Sequence, residues 1–156
     1  MLKVICFVVF GIVISTTGFT MIQTLPFPEL VTNSDVIVIA KVTDITPAAK
    51  NDEKTFELRN ILSIERILKG EWPADKPLEF ITQDFQGKWR EDEVAFPEKG
   101  ERTILFLKRD DKGTLQLVNG IQSIWPLEKG SDKPLRMGFR YSLEQLEKEI
   151  QKPKGR

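Results

Sequence analysis

The stretch SDVIVIAKVTDI, residues 34–45, decides the fold. β-Branched residues dominate it, which favours a β-strand. Successive side chains of a strand point to opposite faces, which places Val36, Val38, Ala40 and Val42 on one face and Ile37, Ile39, Lys41 and Thr43 on the other. The first half is therefore apolar on both faces and the second half on only one. We expect a long strand that begins beneath a covering element and then emerges at the edge of a sheet.

Further strands are predicted along the chain. TFELRNILSIERILKG, residues 55–70, also fits a helical period, but its alternation and the stop at Gly70 favour a strand with a bulge at Ile67 and Leu68. PLEFITQ, residues 77–83, predicts the third strand, and RTILFLKR, residues 102–109, predicts a fourth that is apolar on both faces. RDDKG is typical of a hairpin turn, in which Gly113 takes a positive φ. TLQLVNGIQSIWPL, residues 114–127, then supplies a fifth strand and room for a sixth.

Helical signals lie near both ends of this β-rich region. PELV, residues 28–31, predicts one helical turn with proline at its start. In YSLEQLEKEIQKP, Ser142 and Gln145 form a capping-box pattern, and Tyr141 and Leu146 occupy the positions of a hydrophobic staple. We interpret this segment as a helix docked on the sheet.

These elements predict a mainly β fold: a five- to six-stranded Greek-key barrel of the oligosaccharide/oligonucleotide-binding (OB) type, with a short N-terminal helical turn and a C-terminal helix. A β-sandwich is the alternative. The barrel would occupy residues 28–130. A linker, the docked helix and a basic tail would occupy residues 131–156.

Residues 1–20 have the pattern of a secretory signal peptide. Lys3 precedes an apolar core at residues 4–14, and small residues follow it. Cleavage after Gly18 or after Thr20 fits this pattern. An uncleaved anchor over residues 4–22 is the alternative, because that stretch is near the lower length limit for a membrane span. Either interpretation predicts export to the periplasm or the exterior, with membrane contact only through an uncleaved leader.

Composition excludes several classes of function. The 156 residues, 40% hydrophobic and 29% charged, suit one globular domain. The chain has no histidine, and its single cysteine, Cys6, lies in the leader. Ser–His–Asp and Cys–His catalysis are thus excluded, and zinc, copper or haem sites are not expected. Basic and acidic residues balance at 23 each with no basic stripe, which argues against nucleic acid. We expect a monomer without cofactor or metal.

Two tryptophans have structural interpretations, and one long connection stands out. We expect Trp72 to be a turn residue packed on the edge of the barrel, and Trp125 to be a core or rim residue of the last strand. The segment that runs from residue 84 to residue 101 is the longest connection, and ordered loops of this length are uncommon unless they are functional.

That long connection holds the candidate binding residues. Phe85, Trp89 and Phe96 lie among charges, and Arg90 follows Trp89. Such a cluster is suited to stacking on and hydrogen bonding to a peptide or glycan. The competing interpretation is that these aromatic side chains fold back and cap the mouth of the barrel.

Other polar features are ambiguous. The acidic runs at residues 91–93 and 110–111 would suit oxygen-ligated calcium, but they lack the spaced pattern of a calcium loop, which favours solvated turns. Asn60 interrupts the apolar face of the second strand, either as a bulge residue or as a buried polar contact.

Three segments in order resemble a known family: ELVTNSDVIVIAKVTDI (29–45), ILSIERILKG (61–70) and FPEKGERTILFLKRDDKGTLQLVNGIQSIWPL (96–127). They are similar to bacterial exported domains of the tissue-inhibitor-of-metalloproteinases (netrin-like) type. The matching motifs are the Ser34-Asp35 start of the first strand, the Leu68-Lys69-Gly70 end of the second, and Gly100-Glu101 before the apolar fourth strand. Ala40 stands where the family pattern has glycine.

The resemblance implies an OB fold and, by analogy, protease inhibition. The animal inhibitors chelate zinc through a mature N-terminal cysteine, whereas the only cysteine here is Cys6. We therefore expect an exported, non-catalytic module that binds an envelope or extracellular protein or glycan. A protease inhibitor is the alternative, and a carboxylate-dependent hydrolase ranks last because no pair of acids is set apart by its spacing.

Overall fold

A computed structural model of the chain describes residues 23–50, 55–73, 75–85 and 93–153. Its elements are α1 (Phe27–Thr32), β1 (Val36–Lys50), β2 (Thr55–Lys69), β3 (Leu78–Phe85), β4 (Arg102–Arg109), β5 (Leu115–Leu117), β6 (Ile124–Pro126) and α2 (Leu143–Gln151), with short 3₁₀ turns at Gly120–Ser123 and Arg136–Gly138. The predicted mainly β fold with a helix near each end is confirmed. In the described part of the chain, neither helix combines the length and hydrophobicity that a membrane span requires.

The six strands form one antiparallel sheet. Its order is β3-β2-β1-β4-β5, and β6 also pairs with β4. Among the described residues, β3 pairs only with β2 and β5 only with β4. The sheet therefore does not close into a barrel, and β3 and β5 are its two edges.

Burial along β1 has the predicted two-sided beginning and one-sided end. Residues 36–40 are at most 1% exposed, whereas Lys41 and Thr43 are exposed on either side of the buried Val42. The two faces belong to different core clusters, as the alternation predicted: Val36, Val38, Ala40 and Val42 lie in one, Ile37 and Ile39 in the other. β1 is thus the layer that separates two cores.

We call these two clusters the inner core and the helix-side core. The inner core consists of Val36, Val38, Ala40, Val42, Leu62, Leu78, Leu105, Leu107, Leu115 and Ile124. The helix-side core consists of Leu30, Val31, Ile37, Ile39, Ile104, Phe106, Trp125, Leu127 and Leu146. Since Leu30 and Leu146 come from α1 and α2, the two helices form the cover that the first half of β1 requires.

The end of β2 has the predicted bulge and stop. Ile67 pairs with Val38 and Lys69 with Ile37, so Leu68 is left outside the ladder. Gly70 follows with φ +76°, and a Cβ at this position would collide with the carbonyl oxygen of Asp35. The chain can turn so close to β1 only because residue 70 has no side chain.

Helix α2 has the predicted capping box. The Gln145 amide donates to the Ser142 hydroxyl (3.1 Å), and the Gln145 side chain accepts from the Ser142 amide (2.7 Å). Leu146 is fully buried in the helix-side core, so α2 is docked on the sheet. An ion pair between Arg66 of β2 and Glu147 of α2 joins the two elements.

Two further interpretations are decided by burial. Asn60 is buried, and its Nδ2 donates to the Thr82 hydroxyl (2.9 Å) and to the carbonyl oxygens of Leu58 and Phe80. It is therefore a buried polar contact between β2 and β3. Trp125 is a fully buried residue of the helix-side core, and its Nε1 donates to the Gln122 carbonyl (2.9 Å).

Candidate functional site

The open side of the sheet contains a cleft. A cavity of about 510 Å³ lies between the two edge strands, and we call it the β3–β5 seam. Its lining comes from the turn before β3, from β3 itself and from the β4–β5 hairpin: Trp72, Lys76, Pro77, Leu78, Glu79, Phe80, Lys112, Gly113, Thr114 and Leu115. The seam therefore lies between the two strands that end the path β3-β2-β1-β4-β5.

The β5 side of the seam presents backbone groups. The Thr114 carbonyl accepts from the Asp110 amide (2.9 Å), and the Val118 amide donates to the Phe106 carbonyl (3.1 Å), so both groups face β4. Backbone groups of an antiparallel strand alternate in direction. Those of Leu115 and Leu117 consequently point away from β4, and Leu115 lines the seam.

The tight hairpin that carries β5 is held by one carboxylate. Gly113 has φ +78°, as predicted. Asp110 Oδ1 accepts from the amides of Lys112 and Thr114 (2.9 and 2.8 Å), and Oδ2 accepts from the Gln116 side chain. Asp110 is thus engaged in forming the turn. Among the described residues, no group of three or more Asp, Glu, Cys or His side chains could hold a metal ion.

The floor of the seam is apolar. Leu78 and Leu115 are buried members of the inner core. Phe80 is half-buried and stacks on Phe96, with ring centroids 5.2 Å apart. An occupant of the seam would therefore contact the uncovered end of the inner core.

The rim of the seam is cationic and aromatic. Lys76 Nζ lies 4.7 Å from the centroid of the Trp72 ring, and Arg109 Cζ lies 5.5 Å from it. The indole Nε1 donates to the Lys76 carbonyl (3.1 Å), and Arg109 donates to the Glu71 carbonyl (2.7 Å). These contacts hold the indole and both cations together at the mouth of the seam.

The single acid that lines the seam is already paired. Glu79 forms a 2.6 Å ion pair with Arg59 of β2. The hydrogen bond from Arg59 holds the pKa of the Glu79 carboxyl below its usual value. The other charged residues of the lining are Lys76 and Lys112, so the lining itself has two cations and one acid that is already paired.

The four residues predicted from the long connection are only partly placed. Phe85 is the last residue of β3 and pairs with Thr55, but its side chain lies outside the described part of the structure, as do Trp89 and Arg90. Phe96 is half-buried, packs against the inner core and stacks on Phe80. The binding role of Phe85, Trp89, Arg90 and Phe96 stays a prediction.

Sequence reasoning did not single out the seam residues for binding. Trp72 was expected at a turn on the barrel edge, and it does lie half-buried between β2 and β3. The available signal was the turn segment EWPADKP, residues 71–77, in which a tryptophan and a lysine stand among two prolines. Nothing in that segment indicated that Arg109 from β4 would join them.

A second cavity, of about 350 Å³, has a lining with more charged side chains than the seam. It lies between the turn before β4 and the turn after β6 and is lined by Glu98, Lys99, Gly100, Glu101, Arg102, Leu127, Glu128, Lys129 and Gly130. Arg102 pairs with Glu65 (2.6 Å) and with Asp132 (2.7 Å). The hydrogen bond that Arg102 donates to Glu65 is the largest cause of the raised pKa of Arg102, which is therefore committed to a structural network.

Comparison with known proteins adds no assignment. No protein-family model matches the sequence, and no curated protein matches it.

Proposed function

We propose that this protein is an exported, non-catalytic binding module that holds an extended acidic segment of an envelope or extracellular protein in the β3–β5 seam. The observation that carries the proposal is the seam: two strand edges flank an apolar floor beneath a cationic rim. Export rests on the predicted leader at residues 1–20, which lies outside the described residues.

The proposed framework is a partly open OB barrel of the netrin-like type. Its support is the order of the strands: β4-β1-β2-β3 is the spatial order of a Greek key. Pairing of β3 with β5 would join the two ends of the path. An extended ligand strand between them would complete the ring of hydrogen bonds.

A peptide suits the seam better than a glycan. A peptide strand can use exposed backbone groups of a sheet edge and place alternate side chains in the adjacent pocket. Trp72 already has two cations over its ring. Sugar stacking on that ring would have to displace them, whereas an acidic side chain would pair with Lys76 or Arg109.

Catalysis has little support in the seam. The sequence after Cys6 has no cysteine or histidine, and Glu79, the acid that lines the seam, is bound to Arg59. Hydrolysis by two carboxylates needs two such groups at a fixed separation. The lining supplies a binding surface rather than a pair of acids.

The test is binding of a short synthetic peptide that alternates glutamate and valine, measured by fluorescence anisotropy at low salt. We expect it to bind more tightly than a lysine–valine peptide or an acidic oligosaccharide. Replacing Lys76→Glu and Lys112→Glu together should weaken binding about tenfold or more, because two attractive charges become repulsive. Binding should also weaken as salt screens the rim.

The matched control is Lys129→Glu with Lys133→Glu, which makes the same change of charge on exposed residues outside the seam. This control should leave the affinity within about twofold. Equal loss in both double variants, or equal affinity for the acidic and basic peptides, would contradict the proposal.

The predicted loop residues extend this site in the proposal. Trp89 and Arg90 follow β3, one of the two seam strands, within five residues of Phe85. Trp89→Ala should then weaken capture of the same acidic peptide without lowering the free energy of unfolding. Unchanged affinity in Trp89→Ala would confine the site to the seam.

A further inference from the structure

A second surface combines exposed apolar groups with positive charge. Among the described residues, three large hydrophobic side chains are more than a third exposed: Ile81 (53%), Met137 (37%) and Phe139 (64%). Two of them lie two residues apart and are flanked by arginines, in the sequence RMGFR. We call Arg136, Met137, Phe139 and Arg140 the 136–140 patch.

The 136–140 patch is fixed to the core. Gly138 is buried, and a Cβ there would lie 2.5 Å from the ring of Trp125. The Gly138 amide donates to the Leu135 carbonyl (3.1 Å), and its carbonyl accepts from the Tyr141 amide (2.9 Å). Met137 and Phe139 therefore lie on a turn that is anchored to the core. Exposure of such apolar side chains to water is unfavourable.

The charge of the patch is one-sided. Arg140 Cζ lies 5.3 Å from the centroid of the Phe139 ring. Arg136 is exposed, and its φ of +50° is a backbone conformation that non-glycine residues rarely adopt. A cavity of about 250 Å³ runs beside the patch, and none of its lining residues is acidic. Aromatic and aliphatic groups beside arginines are the composition of surfaces that sit in a bilayer interface.

The first described residues of the chain lie beside the 136–140 patch. Gln122 acts as a clamp: its Oε1 accepts from the Leu25 amide (2.9 Å), and its Nε2 donates to the Leu25 carbonyl (2.7 Å). The Asn119 side chain donates to the Gln23 carbonyl (2.8 Å). Thr24, Leu25 and Pro26 line the cavity that Met137, Phe139 and Arg140 also line.

The sequence just before this clamp is apolar. The predicted leader covers residues 1–20 and the alternative, an uncleaved anchor, covers residues 4–22, directly before Gln23. One residue spans at most about 3.6 Å. A membrane that held residues 4–22 would consequently lie against the surface that carries the patch.

We infer that the 136–140 patch contacts an anionic bilayer surface. Phe139 and Met137 enter the boundary between headgroups and acyl chains, while Arg136 and Arg140 pair with lipid phosphates. This contact uses none of the residues that line the β3–β5 seam.

The test uses the full chain with vesicles whose acyl chains are brominated, because bromine quenches tryptophan at close range. Phe139→Trp and Ile81→Trp form a matched pair of exposed apolar positions, each compared with the unsubstituted chain. In phosphatidylserine-containing vesicles we expect quenching and a blue shift for Trp at position 139 and neither for Trp at position 81.

The second part of the test changes the charge of the patch. Arg136→Gln with Arg140→Gln, made in the Phe139→Trp chain, should lower the ratio of docked to undocked protein by about fivefold per arginine. Lys112→Gln with Lys129→Gln, in other cavities, should leave quenching unchanged. Equal quenching at positions 81 and 139, insensitivity to the arginines, or no quenching at position 139 would overturn the inference.

Discussion

The two sides of β1 are covered by different means. The helix-side core is covered by α1 and α2 and contains the fully buried Trp125. The centroid of the Trp125 ring lies 4.6 Å from that of Phe106 and 5.6 Å from that of Tyr141. The inner core ends in half-buried residues such as Phe80 and Phe96, with the β3–β5 seam beside them. The side with complete cover should contribute most to stability, and the side where the cover stops is the one on which we propose binding.

The largest expected effect comes from the sealed side. Trp125→Ala should lower the free energy of unfolding by about 3–5 kcal/mol, because it empties a fully buried position. Phe80→Ala, at the half-buried margin of the inner core, should cost roughly half as much. Urea denaturation of both variants tests the comparison, and a loss in Phe80→Ala as large as that in Trp125→Ala would contradict it.

A substitution at Gly70 would test whether the close approach of the turn after β2 to the start of β1 requires glycine. Gly70→Ala should cost about 2–4 kcal/mol, since it adds a collision with the Asp35 carbonyl to the strain of a positive φ. Gly113→Ala is the control: its φ is also positive, but its Cβ would meet nothing within 4 Å. It should cost about 1 kcal/mol. Equal thermal shifts in the two variants would show that the collision is relieved.

Asn60 tests the polar junction between β2 and the edge strand β3. Asn60→Ala should cost about 1–3 kcal/mol, because Thr82 and two carbonyl oxygens lose a buried donor. Amide hydrogen exchange should accelerate most in β3. Gln83→Ala, an exposed change on the same strand, should stay within about 0.5 kcal/mol of the parent. An unaltered β3 exchange rate in Asn60→Ala would contradict this role.

The smallest effect concerns pH at the edge. The pKa of Glu79 is lowered by Arg59 in the folded state, so the unfolded chain binds more protons near the ordinary carboxyl pKa of 4.5. The stabilisation is therefore present above this value and is lost as pH falls through the lower folded pKa. Glu79→Gln should flatten the fall of the melting temperature below about pH 5, and so should high salt. A pH profile identical to that of the parent would contradict the coupling.

Much of the fold could be predicted from local sequence patterns. The two-sided start of β1, the bounds of β4, the hairpin at Gly113 and the capping box at Ser142 could all be predicted, because each depends on side chains within a few residues of one another. The closed barrel was not confirmed. Whether β3 meets β5 depends on strand lengths and bulges that accumulate across the whole sheet, and β1 and β2 alone contain four register shifts.

The two surfaces used in the proposals were harder to predict. Trp72 gains its cationic partners from residue 76 and from residue 109, and the latter contact joins distant parts of the sequence. Met137 and Phe139 lie in an irregular segment, where no period of 2 or 3.6 indicates which side chains face water. Trp89 and Arg90 lie outside the described residues, so the sequence remains their only support.

An open strand edge is also a template for another copy of the same chain. Two copies that paired edge to edge at the seam would have Lys76 and Lys112 of both molecules at their interface. Like charges at a bare edge discourage that encounter, so the groups proposed to attract an acidic segment would also keep the protein from polymerising through its own unfinished sheet.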